Sequence, residues 1–159
     1  MTRMALLLAA AVAAPLLSAH ADEGEYLPPV ADATVREECG ACHMVFPPQF
    51  LPTRSWQKLM TELSSHFGED ATFPDPAREA ITAYLVANAA DGPGARGGQR
   101  FLRGLSAADT PLRISATPFW QGEHDEITAA DLANPAVKSP ANCVACHKAA
   151  DRGDFSEPE

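Results

Sequence analysis

The sequence predicts a mainly α protein, with a regular helical first half and a less regular, loop-rich second half. Three observations carry this. Apolar residues recur at helical spacing between positions 53 and 90. Four glycines and a proline fall within Asp91–Gly98, which reads as a linker. Prolines 111, 118, 135 and 140 then interrupt every later segment. Composition narrows the class further. Of 159 residues, 46% are apolar, too many for a disordered chain. Four cysteines are too few for a disulfide-dense scaffold. A formal charge of −9 argues against nucleic acid as a partner, because phosphate binding needs a basic footprint.

Residues 1–21 read as a secretory signal peptide. Arg3 is the basic start, Ala5 to Leu17 the apolar stretch, and Ala19-His20-Ala21 the small-x-small cleavage site. The apolar run is too short for a bilayer span and holds Pro15. The expected product begins at Asp22, is exported, and does not span a membrane. The linker divides it into 22–90 and 91–159.

In the first half, Ala31 to Glu38 is expected to form a short helix. Phe46 to Pro52 reads as a proline-rich loop. Thr53 is placed to cap a helix running to about Phe67, with Trp56, Leu59, Met60 and Leu63 on its apolar face. A last helix is expected from Pro74-Asp75-Pro76, with Asp75 as its cap, to about Ala90. Ile81, Tyr84, Leu85 and Asn88 share one of its faces. In the second half, Phe101 to Leu105 reads as a short helix, Leu112 to Ser115 as a brief extended segment, and Thr128 to Leu132 as a helical turn. The acidic end, Asp154 to Glu159, is expected to be disordered.

The cysteines form two identical motifs, Cys39-Gly-Ala-Cys42-His43 and Cys143-Val-Ala-Cys146-His147. C-x-x-C-H is the signature of c-type haem attachment. Two thiols about one helical turn apart can form thioethers to the haem vinyl groups, and the following histidine then meets the iron. Paired C-x-x-C segments also bind zinc, but such a site needs no histidine after each pair. Two copies behind an export signal favour two covalent haems, one in each half. A half of about 70 residues with so little regular structure builds no large core alone, so the second half is expected to wrap around its haem. The first half, helix then C-x-x-C-H then two closing helices, has the plan of a class I cytochrome c.

The sixth iron position separates electron transfer from ligand binding or catalysis. Once His20 leaves with the signal, four histidines remain: His43, His147, His66 and His124. His66 extends the stripe Trp56, Leu59, Leu63 and so is a candidate distal ligand. Met60, on the same expected helix, is its rival. The second half contains no methionine, which leaves His124 as the nitrogen candidate, ahead of Lys138 and Lys148. Its neighbours Glu123, Asp125 and Glu126 point to an exposed loop, whereas Phe119 and Trp120 point to partial burial. The spacing leaves open which of His66 and His124 serves which iron. Arg96, Arg100 and Arg103 could form one basic face toward haem propionates, or a solvated surface.

With these residues in view, the chain resembles the dihaem cytochrome c family, small periplasmic proteins of proteobacteria. The resemblance is carried by Glu38 to Pro52, Arg54-Ser-Trp56, His66-Phe-Gly68, Trp120 with His124, and Cys143 to His147 followed by Gly153-Asp-Phe155. It implies bis-histidine ligation, with His66 opposite His43 and His124 opposite His147. It also implies electron transfer from a membrane b-type cytochrome to a small periplasmic haem protein, with no substrate bond made or broken. The competing reading is a peroxidase-like dihaem enzyme in which His124, flanked by acids, is displaceable.

Overall fold

The computed structural model describes residues 26–156. The expected signal peptide and the last three residues of the acidic end lie outside them. The described chain is mainly helical, with five α-helices, short 3₁₀ turns between them and three isolated bridges in place of strands.

Helix α1 spans Ala33–Cys39, where the Asp32 side chain accepts from the Val35 amide and Gly40 closes the end. It starts two residues later than the sequence predicts, because Asp32 is the stronger cap. The proline-rich stretch turns through a 3₁₀ helix, Pro48–Phe50, and the Trp56 indole N–H donates to the Pro48 carbonyl at 2.7 Å.

Helix α2 spans Thr53–Thr61, shorter than expected. Leu63–Ser65 forms a separate 3₁₀ turn, so His66 does not lie on a continuous helical stripe. Its approach to the core depends on the turn instead. Nor does Thr53 cap α2. Pro52 precedes the helix, and the Thr53 amide donates to Asp91 Oδ1 at 2.7 Å from 38 positions away. The start of α2 is thus capped from the linker, and Arg54 pairs with the same carboxylate at 3.6 Å. These bonds hold the Asp91 carboxyl below the usual carboxylate range, against the opposing effect of burial.

Helix α3 spans Asp75–Asn88, preceded by Pro74 with no side-chain cap. Asp75 is therefore the first helical residue rather than the cap, a favourable place for an acid at the positive end of the helix dipole. Helices α2 and α3 enclose the main core with α1: Val35, Leu51, Trp56, Leu59, Met60, Leu63, Ile81 and Leu85 are all buried. The Tyr84 hydroxyl accepts from the Ala31 amide, tying α3 to the entry of α1.

The second half departs further from expectation. Phe101 sits in a 3₁₀ helix, Gly98–Leu102. Ile114–Ala116 is also 3₁₀ where an extended segment is expected. Helix α4, Pro118–Glu123, is not anticipated, although Thr117-Pro118 is a legible start: the Thr117 hydroxyl accepts from the Trp120 amide, and proline takes the first position. Helix α5, Ala129–Ala133, matches its expected turn and is closed by a capping box between Thr128 and Asp131.

A second cluster joins the beginning of the described chain to its end. Leu27, Ala90 and Phe101 are buried against Phe50, Leu102, Phe119 and Phe155. The Leu27 amide donates to the Gly153 carbonyl at 2.7 Å, and Tyr26 bridges Asp154. The acidic end is thus packed through Ser156 rather than loose, because Phe155 has an apolar slot to fill.

Candidate haem sites

Each C-x-x-C-H motif presents two free thiols and one imidazole. Cys39 ends α1 and packs at the edge of the main core. Burial raises its thiol pKa, and Glu38 adds to that. Cys143 opens a 3₁₀ turn, Cys143–Ala145, and burial pushes its pKa up to about 11. Cys42 and Cys146 are exposed, whereas Cys39 and Cys143 are partly buried. Among the described residues, no three His, Cys, Asp or Glu side chains converge to hold a bare metal ion.

The histidines meet in two pairs. The His43 and His66 rings lie 6.3 Å apart between centroids at 27°, and those of His124 and His147 lie 6.0 Å apart at 80°. An imidazole nitrogen bonds a first-row metal at about 2.0–2.1 Å, and the ring centre lies about 1.1 Å beyond it. Two imidazoles on opposite sides of one metal therefore stand about 6.2–6.4 Å apart. Both pairs fall close to that spacing, whereas the stacked Trp120–His124 contact is 4.4 Å.

Three of the four rings are oriented through Nδ1. His43 Nδ1 faces the Met44 carbonyl at 2.6 Å, His124 Nδ1 the Trp120 carbonyl at 2.9 Å, and His147 Nδ1 the Ser156 carbonyl at 2.9 Å. Each bond assigns the proton to Nδ1 and leaves Nε2 free to ligate. His66 differs: its Nδ1 is buried with no partner. Burial lowers its pKa, aided by His43 and by Arg113, so the ring is neutral, as a ligand must be.

The sequence leaves His124 between an exposed loop and partial burial. The structure places it half-buried at the end of α4, with its ring flat on Trp120 at 10°. Sequence reasoning misses three supports altogether. The Ser156 carbonyl orients His147, Phe46 stacks on His43 at 4.9 Å, and Phe67 carries Arg113 over its ring at 4.0 Å. A backbone carbonyl has no sequence signal, whereas Phe155, which brings Ser156 into place, is visible as an apolar residue in an acidic tail.

The pair His124–His147 flanks a cavity of about 740 Å³, within the range that holds cofactors. Cys143 and Cys146 line it, with Phe101, Ile114, Phe119 and Leu132 as apolar walls. Arg100 and Arg103 line it as well, and Arg103 pairs with Glu123 at 3.3 Å, so part of the anticipated basic face does reach this site. Thiols, imidazoles and an apolar slot of this size fit a covalent haem. Met60, the rival ligand, lies in the main core with Leu59 and Leu63.

Gly153 supports this site through the backbone. Its φ of +87° is a left-handed conformation, and an added Cβ would collide with the Leu27 carbonyl oxygen. Gly153→Ala is expected to cost about 1–3 kcal/mol by strain. It should also loosen the Ser156 carbonyl on His147. Thermal unfolding of the haem-loaded protein measures the first effect, and the fraction of the second haem remaining low-spin measures the other.

Comparison with known proteins agrees with the geometry. The family described as dihaem cytochrome c matches residues 35–155. The solved diheme cytochrome c from Rhodobacter sphaeroides is 48% identical with a TM-score of 0.74, covering 81% of this chain and 100% of its own. A diheme cytochrome type c from Shewanella baltica is 31% identical with a TM-score of 0.63, covering 78% of this chain and 86% of its own. No curated protein matches significantly. Two C-x-x-C-H motifs, two facing imidazole pairs and a match over most of the described residues lead to one conclusion: the chain belongs to the dihaem cytochrome c family and carries two covalently bound haem c groups.

Proposed function

We propose that this protein is an exported, periplasmic one-electron carrier whose two irons are each held by two histidines. Family membership supplies the coarser statement, haem-based electron transfer. Haem contributes an Fe(III)/Fe(II) couple, and the chain does the rest. Cys39 and Cys42 hold one group and Cys143 and Cys146 the other. His43 and His66 close the first iron, within residues 22–90. His147 and His124 close the second, within residues 91–159. The carrying observation is the pair of ring separations, 6.3 and 6.0 Å, each wide enough for one metal.

Two imidazoles keep iron low-spin in both oxidation states, so little rearranges when an electron moves, and they set a lower potential than a Met/His pair. The Nδ1 bonds fix three of these rings in advance. His124, hydrogen-bonded and stacked, is poorly placed to swing away, which weighs against the peroxidase-like reading built on its release. A net charge of −9 suits docking to basic faces on partner proteins, weakened by salt. In keeping with the family resemblance, we assign the donor to a membrane b-type cytochrome and the acceptor to a small haem protein. No helix among the described residues is long and apolar enough to cross a membrane.

The two ring angles, 27° and 80°, give the test its resolution. Near-parallel axial imidazoles give an ordinary rhombic low-spin ferric signal, and perpendicular ones a strongly anisotropic signal with a large principal g-value. Electron paramagnetic resonance of the oxidised protein is expected to show one of each, in equal amounts. A high-spin signal from half of the iron would refute closure of both sites.

A further inference from the structure

The two distal histidines are held very differently. His124 ends a helix, bonds the Trp120 carbonyl at 2.9 Å and stacks on the Trp120 ring. His66 stands outside α2 and opens a tight turn with Glu69, closed by His66 N–H to Glu69 O at 2.8 Å and Glu69 N–H to His66 O at 3.1 Å. Both central residues of that turn have positive φ, Phe67 at 54° and Gly68 at 105°. This suits Gly68, but the left-handed region is unfavourable for a phenylalanine. Phe67 is half exposed and steadied from outside by Arg113, whose guanidinium lies 4.0 Å above its ring. His66 alone among the four histidines has a buried Nδ1 without a partner.

Loss of such an outer partner typically weakens a metal–histidine bond by about 10–100-fold. The unfavourable φ of Phe67 is a second feature of this turn that the helical setting of His124 lacks. Leu63, three positions before His66, is buried in the main core, and the Phe67 ring is 4.8 Å from His66. An incoming group there meets the Phe67 ring with the Arg113 guanidinium over it, and reduced haem iron takes uncharged diatomic ligands.

We propose that the distal position of the first haem is a latent binding site, where His66 gives way to a small uncharged diatomic ligand while His124 keeps the second haem closed. The proposal rests on the bis-histidine reading above. In the exchange, the bond from iron to His66 breaks and one from iron to the ligand forms. His66 keeps its lone pair, and no electron or proton changes hands. The site is thus opposite to the one the acidic setting of His124 singles out from sequence.

Carbon monoxide is the probe, added to the full haem-loaded protein after reduction with dithionite. Wild type is expected to take up one equivalent per chain, with a rate that saturates at the rate His66 leaves. His66→Ala should still take one equivalent, now at a rate linear in carbon monoxide. His124→Ala should take two. Uptake of two equivalents by His66→Ala, with one by His124→Ala, would place the labile site on the second haem and overturn the proposal. Absence of uptake by a wild-type protein that is six-coordinate beforehand overturns it as well, leaving the bis-histidine reading intact. A five-coordinate first haem before carbon monoxide is added overturns both.

Discussion

His124→Met is expected to raise the reduction potential of one haem by tenths of a volt and leave the other nearly unchanged. Axial ligands span a range of roughly 0.8 V, and a thioether favours Fe(II) where an imidazole favours Fe(III). The physical origin lies in the ligand set of the second site. His147, with Nδ1 on the Ser156 carbonyl at 2.9 Å, remains a strong donor in the variant. His124 also gives that site its 80° ring angle. A redox titration followed by electron paramagnetic resonance therefore reads two things at once. The large-g signal should disappear, and the midpoint belonging to the rhombic signal should stay in place. Retention of both signals and both midpoints would show that His124 is not a ligand.

Phe50→Ala carries the largest expected loss of stability, about 2–3 kcal/mol, below the range for fully buried phenylalanines because Phe50 is partly buried. Phe50 meets Phe101 and Phe155 edge-on, each at 5.0 Å between centroids, and also lines the cavity beside His124 and His147. It belongs to the first half by sequence but supports the second site. Phe155 lies beside Ser156, so its displacement also loosens the carbonyl that orients His147. Chemical denaturation of the haem-loaded variant should show a lower midpoint, and the second haem should be the first to lose its low-spin spectrum. Equal loss at both haems would mean that Phe50 acts on the fold as a whole.

Much of the fold was legible because its signals are local. Asp32 before α1, Thr128 before α5 and the apolar spacing of α2 and α3 all lie within a few residues of what they control. Two of the departures arise from contacts made at long range, the capping of α2 and the packing of the acidic end. Asp91 caps α2 across 38 positions, which no inspection of Thr53 reveals. The helical stripe led to His66 although α2 stops at Thr61, because the turn that follows returns the ring toward the core. The acidic end looked disordered by charge, yet Phe155 packs against Phe50. Helix α4 was missed among prolines, although one of them occupies its first position.

By itself the sequence determined the chemistry. Two C-x-x-C-H motifs specify covalent haem, because thiol spacing and the adjacent imidazole are fixed within five residues of covalent chain. It also narrowed the further candidate ligands to His66 and His124. The tertiary structure decided how these residues combine. It set His66 against His43 and His124 against His147, fixed ring angles of 27° and 80°, and gave Nδ1 partners to three imidazoles while withholding one from His66. The physical reason is that pairing, ring rotation and outer hydrogen bonds depend on groups up to several tens of residues apart. Backbone carbonyls such as that of Ser156 acquire a role only once folding has brought them to a ring.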